Sequence, residues 1–214
     1  MVLARQWTGL PIDIAVSGEF VRFALVPGIN LNLSSSRLQG LVDSRFARII
    51  GESMNAWSIR YCAQDKSTVL AAAIRKPLQD GLEQVARECR LKLRSVAPLW
   101  SCAINHRHAQ FTGQSGWLVL TEARTATFGL IEDGKWVSLR TRMLDLAQAS
   151  TVSSLLERER RSVGSAQHEV SVVGDVPGKG VDLGADWHLR YPLPAAPQTM
   201  ALPAACRAAA VAGC

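Results

Sequence analysis

Leu78, Leu82, Val85, Ala86 and Cys89 fall at i, i+4, i+7, i+8 and i+11, the spacing of one helix face, with Asp80, Glu83, Arg87 and Arg90 elsewhere. Pro77 stands at the first turn, where its missing N–H would have no intrahelical partner anyway. An apolar run from Thr68 to Ile74 precedes this helix, and Leu93 to Val96, apolar at alternate positions and closed by Pro98, follows it. Strand, helix and strand in that order predict an α/β chain with a parallel pairing in its sheet.

The rest of the chain extends the pattern. Ile12 to Val16 and Phe20 to Val26 read as a hairpin around Ser17-Gly18-Glu19, whose glycine can take a positive φ. Ser34 to Ser36 offer an N-cap to a helix through Leu38, Leu41, Val42, Phe46 and Ile49, ending at Gly51. Trp57 to Cys62 and Thr68 to Ile74 flank the polar turn Gln64-Asp65-Lys66-Ser67. Beyond a glycine-containing stretch, Trp117 to Leu120, Thr125 to Ile131 and Trp136 to Thr141 form a three-stranded meander whose second turn is Asp133-Gly134. A helix is expected from about Leu144 to Arg161, with Leu146, Val152, Leu155 and Leu156 inward, and strands at Glu169 to Val173 and Trp187 to Tyr191.

Both halves thus run hairpin, further strands, helix, strand. That order is the plan of mixed α/β folds made of two related ribonuclease H-like, or actin-like, halves. The expected division is residues 1–110 for the first half, 111–191 for a shortened second half, and 192–214 for a poorly ordered tail rich in alanine and proline.

Composition narrows the function classes. The 214 residues are 48% hydrophobic, enough to bury a core, and contain no apolar run near the roughly 18 residues that a membrane helix needs. The N-terminus lacks the order of a secretory signal, which predicts a cytoplasmic protein. Five cysteines, Cys62, Cys89, Cys102, Cys206 and Cys214, form no CxxC pair and read as unpaired thiols. The net charge of +6 suits acidic partners, but no basic run is interleaved with aromatic residues. A specific nucleic-acid platform is not expected.

No motif supports catalysis. Gly174-Asp-Val-Pro-Gly178-Lys179-Gly180 places three residues, not four, between its glycines and lacks the hydroxyl after the lysine, so it reads as a turn and not as a phosphate loop. His106 and His108 lie two apart, with Cys102 near in sequence and His168 and His188 able to approach only through the fold, and no metal site is expected. Glu157 and Glu159, with the neighbouring arginines, read as a solvated helix face. There is no GxSxG elbow.

Two stretches carry a resemblance. Pro11-Ile-Asp13-Ile14-Ala15-Val-Ser17-Gly-Glu-Phe20-Val21-Arg22, and Gly116-Trp-Leu-Val-Leu-Thr-Glu122-Ala123-Arg124-Thr125-Ala-Thr127 with the strands to Arg140, resemble the opening hairpins of the two halves of the actin-like cytoplasmic proteins of type IV pilus and type II secretion inner-membrane platforms. The segment Val69 to Pro98 is similar to the middle of these proteins, and the likeness covers roughly residues 10 to 162. In the pilus members the two hairpins carry phosphate loops, with glycine after the first Asp-Ile and an Asp-x-Gly in the second. Here Ala15 and Glu122-Ala123-Arg124 stand instead, and a Cβ or an arginine side chain obstructs a close backbone approach to phosphate. The pilus members are also longer, which implies that parts of their nucleotide cleft are missing here.

The resemblance therefore implies the fold and a scaffold role without ATP, with degenerate loops at Asp13, Ala15, Ser17, Glu122, Arg124 and Thr125. The expected partners are an inner-membrane platform protein and an assembly ATPase, with peripheral association at the cytoplasmic face of the inner membrane. No catalytic residue, cofactor or metal is expected. Two rival readings are an actin-like ATPase that keeps Asp13 and Glu122 as its Mg²⁺-organising carboxylates, and a nucleic-acid binder supported by charge alone.

Overall fold

The computed structural model describes residues 8–29, 32–64, 67–105, 115–144, 151–174, 183 and 185–192. These fall into two compact units, divided between His106 and Arg107. His106, His108, Leu146, Cys206, Cys214, the turn residues 175–180 and the tail beyond Pro192 lie outside the described residues.

The first unit contains β1 (Pro11–Val16), β2 (Val21–Val26), α1 (Ser35–Ile50), β3 (Trp57–Ala63), β4 (Val69–Arg75), α2 (Lys76–Glu88), β5 (Lys92–Pro98) and α3 (Leu99–Asn105). Sheet order corrects the opening hairpin. β1 pairs in parallel with β5, whereas β2 joins an antiparallel sheet of order β2-β4-β3, so consecutive strands leave for different sheets. The link between them explains why: Ser17 Oγ accepts from the Glu19 N–H, the Phe20 N–H bonds the Ser17 carbonyl, and residues 18–20 close a 3₁₀ turn. Gly18 keeps a φ outside the left-handed region, so the two-residue turn that would fold β2 back onto β1 is not made. The expected parallel pairing of β5 is present, but its partner is β1 and not the strand that α2 connects it to.

β4, the central strand of its sheet, alternates in burial. Val69, Ala71 and Ala73 point toward α1 and pack with Val26, Val42, Phe46, Trp57 and Ile59. α2 departs from its sequence reading: Ala86 is buried, Leu78, Leu82 and Cys89 are half-buried, and Val85 is 56% exposed. The apolar stripe is real as a spacing, but most of it is not core.

The second unit contains β6 (Gly116–Thr121), β7 (Thr125–Glu132), β8 (Lys135–Met143), α4 (Thr151–Val163), β9 (Glu169–Gly174) and β10 (His188–Pro192). Its five strands take the order β10-β9-β6-β7-β8, with an antiparallel meander on one side and parallel pairs β6-β9 and β9-β10 on the other. The meander turn has Asp133 and Gly134 at φ values of 50 and 76, the double positive φ that favours this dipeptide between strands. Leu156 of α4 packs with Trp117, Val119, Phe128, Leu130, Val170 and Val172. The solvated-face reading of α4 holds for neither glutamate in full. Glu159 is buried, its Oε1 accepting from Arg142 Nε at 2.6 Å, and Glu157 is bonded by Arg160 and Arg161.

Candidate functional site

Asp13 sits where β1 and β5 shift register. Its nearly buried carboxylate accepts from Ser95 Oγ at 2.7 Å and is paired with Arg94. Both partners come from β5, so the charge of Asp13 is met inside the unit. Ala15 belongs to the same ladder, opposite Ala97, and Ser17 caps the 3₁₀ turn. Asp13 to Val16 is thus strand and not loop, with the turn beginning only at Ser17.

The second predicted loop is the connection between β6 and β7. The Glu122 N–H bonds the Thr125 carbonyl at 2.8 Å, and Thr125 Oγ1 donates back to Glu122 Oε2 at 3.3 Å. Thr125 is buried, Arg124 is exposed, and the Arg124 carbonyl accepts from the Leu144 N–H. This three-residue turn therefore uses Glu122 to close itself. Asp13, Ala15 and Ser17 belong to the first unit and Glu122, Arg124 and Thr125 to the second. Among the described residues no group of His, Cys, Asp and Glu is arranged to hold a metal ion.

A feature absent from the sequence reading lies in the first unit. The face of the β2-β4-β3 sheet turned away from α1 borders a cavity of about 530 Å³, with Phe23, Leu70, Ala72 and Ile74 on one wall and α2 and β5 on the others. Gln79, Glu83, Ala86 and Arg87 are the α2 residues that line it, a line of the helix neighbouring the apolar stripe. Among the described residues of the lining, Arg60 and Arg87 contribute cations, beside Arg94 already paired with Asp13, against the carboxylate of Glu83.

β5 borders the cavity in an informative way, because every residue from Leu93 to Pro98 takes part. Alternate side chains of a strand point to opposite faces, so an unbroken run of six can border one cavity only along the strand's edge. One edge of β5 is paired with β1, and no described strand pairs with the other.

No protein-family model and no curated protein matches the sequence. Solved structures do match the fold. PilM in the PilM–PilN type IV pilus biogenesis complex aligns with a TM-score of 0.59 at 14% identity, covering 77% of this chain and 62% of that one. A protein of unknown function with an actin-like ATPase fold from Bacteroides thetaiotaomicron aligns at 0.51 and 11% identity, covering 78% of this chain and 61% of that one. The cytoplasmic domain of EpsL, an inner-membrane component of the type II secretion system of Vibrio cholerae, aligns at 0.57 and 9% identity, covering 87% and 71%. The fold is actin-like.

The expected resemblance to pilus and secretion platform proteins is therefore present at the level of structure, although this chain spans only about three-fifths of the length of PilM and of the Bacteroides protein. The two actin-like halves can be compared strand by strand. β6, β7, β8, α4 and β9 of the second unit correspond in order to β1, β2, β4, α2 and β5 of the first, with α1 and β3 inserted; the parallel pair β6-β9 matches β1-β5 and the antiparallel pair β7-β8 matches β2-β4, whereas the β6-β7 pairing has no counterpart between β1 and β2. β9 is paired on both edges, by β6 and by β10, whereas among the described strands β5 has β1 alone. The unpaired edge is thus the place of a strand that the second half possesses. The sequence held one signal for this cavity: Val69 to Ile74 is apolar at every position, on a strand whose two faces must then both be covered.

Proposed function

We propose that this chain is a non-catalytic adaptor of a bacterial type IV pilus or type II secretion-like inner-membrane platform, and that its first unit holds the cytoplasmic tail of a membrane partner. The observation that carries the proposal is the cavity along the unpaired edge of β5. An extended segment laid there gains main-chain hydrogen bonds from the edge, while Phe23, Leu70, Ala72 and Ile74 receive its apolar side chains. The arginines of the lining favour a segment with acidic flanks. Similarity to PilM, solved with PilN, and to a cytoplasmic domain of an inner-membrane secretion component supports the setting. No described helix is long and apolar enough to cross a membrane, and in this reading the chain works on the cytoplasmic face of the inner membrane, where an assembly ATPase is a further partner.

The test is capture from native membranes by the wild-type chain and by Ala72→Trp, which fills the cavity from a half-buried position. The expected result is one inner-membrane protein held by the wild type and lost with the variant, at unchanged thermal unfolding. Equal retention by both would remove the cavity from the account. The likeness to a protein of actin-like ATPase fold favours a second reading, nucleotide binding. Calorimetric titration with Mg-ATP separates the two, and micromolar affinity would replace the adaptor reading with it.

A further inference from the structure

Among the described residues the second unit has an unpaired edge of its own. β8 is the last strand of the order β10-β9-β6-β7-β8, and no described strand pairs with its outer side. Its register with β7 shifts once, near the turn, and from Ser138 to Met143 the pairing is continuous. An unpaired edge of this length is a template for another strand unless something blocks it.

The two faces of β8 differ in chemistry. Arg140 and Arg142 lie on one face with the buried Ser138, toward α4: Arg142 is paired with Glu159, and Arg140 bonds Ser162 Oγ at 3.2 Å. Arg158 sits four residues before Ser162 on the same helix and is exposed. Glu159 is one acid between two arginines, so the cluster stays cationic. A guanidinium carries five donors, and these bonds leave both arginines with donors for another carboxylate. The opposite face carries Val137 and Met143, 44% and 54% exposed, on either side of Leu139 and Thr141.

We infer that the outer edge of β8 is a docking site for an extended segment of a partner protein in which acidic and apolar residues alternate. Strand addition would set the acidic side chains beside Arg140 and Arg142 and the apolar ones beside Val137 and Met143, because both strands share the same two-residue period. The same charges disfavour a second copy of this chain, since two β8 edges brought together oppose arginine to arginine. This surface lies in the second unit and does not depend on the cavity of the first.

The experiment uses the full chain and two labelled eight-residue peptides, one alternating glutamate with valine and one alternating lysine with valine. The Glu-Val peptide is expected to bind at least about tenfold more tightly at low salt, to weaken as salt rises, and to slow amide exchange in Ser138 to Met143. The double variant Val137→Glu/Met143→Glu, at two exposed positions, is expected to weaken that binding by about tenfold while leaving unfolding unchanged. Equal affinity for both peptides, or protection confined to other strands, would overturn the inference. Absence of binding would leave β8 as a charge-protected edge only, and would overturn it equally.

Discussion

Gly174 ends β9 at a φ of +104, and a Cβ built there would lie 2.1 Å from the backbone carbonyl oxygen of Thr121. Thr121 ends β6, which is held on both sides by β7 and β9, so the carbonyl cannot withdraw without disturbing two ladders. Gly174→Ala therefore meets both the strain of a φ that side chains avoid and an overpacked contact that must open by about 1.3 Å to become ordinary. Each effect costs about 1–3 kcal/mol, and together they predict a loss of about 2–6 kcal/mol. Gly164 supplies the control: its φ is +66 but nothing lies within 4 Å of the added Cβ, so Gly164→Ala should lose only about 1–2 kcal/mol. Urea unfolding followed by tryptophan fluorescence reports on this core, since Trp117 and Trp187 both belong to it. Equal losses for the two variants would refute the reasoning, because they would mean that the close approach to Thr121 costs nothing.

Other expectations follow from buried and paired charges. Glu159→Ala should destabilise the second unit by about 1–3 kcal/mol in the same assay, because it removes the charge-assisted hydrogen bond from Arg142 and the buried glutamate stem, while the half-exposed arginines left behind are solvated. Glu157 is held down to about 2 by hydrogen bonds from Arg160, with Arg161 adding to them. A depressed carboxyl contributes stability above its unfolded range and loses it as pH falls through the folded value, so the Glu157→Gln variant should lose the part of the acid destabilisation that falls between about pH 4.5 and 2. A pH–stability profile of the two proteins that stays parallel over that window would contradict this. Asp13→Asn should loosen the β1-β5 pair, read as faster amide exchange in Ile12 to Val16, because Arg94 loses its counter-ion and an amide NH2 replaces one of the two oxygens that accept from Arg94 and Ser95. Unchanged exchange would show that the ion pair does not hold the ladder.

Much of the second unit is legible from its apolar runs and turn residues. Trp117 to Thr141 forms strands and turns where its sequence says, and Asp133-Gly134 adopts the positive φ values that the dipeptide favours. The first unit is less so. Nothing local to Ser17-Gly18-Glu19 distinguishes a hairpin turn from the 3₁₀ turn that sends β2 to another sheet, because the choice rests on the pairing of β1 with Lys92 to Pro98, about eighty residues away. Glu159 fails for a related reason: within α4 it has the spacing of a solvated ion-pair face, and only β8 brings the arginines that bury it. Asp13 is legible as a carboxylate of interest, while its partners Arg94 and Ser95 stand in the sequence only as positions of a short strand. Val85 satisfies helical spacing but is exposed, because the side of α2 that faces the rest of the unit carries Gln79, Glu83 and Ala86.

The central claim is that the first unit works by completing β5 with a segment from another protein. Amide exchange in Lys92 to Pro98, compared between the free chain and the complex recovered from native membranes, tests it most directly. The account predicts that the outward-facing amides of β5 slow by at least about tenfold in the complex, as paired strand amides do. Unchanged exchange in β5, with protection appearing elsewhere in the chain, would contradict it.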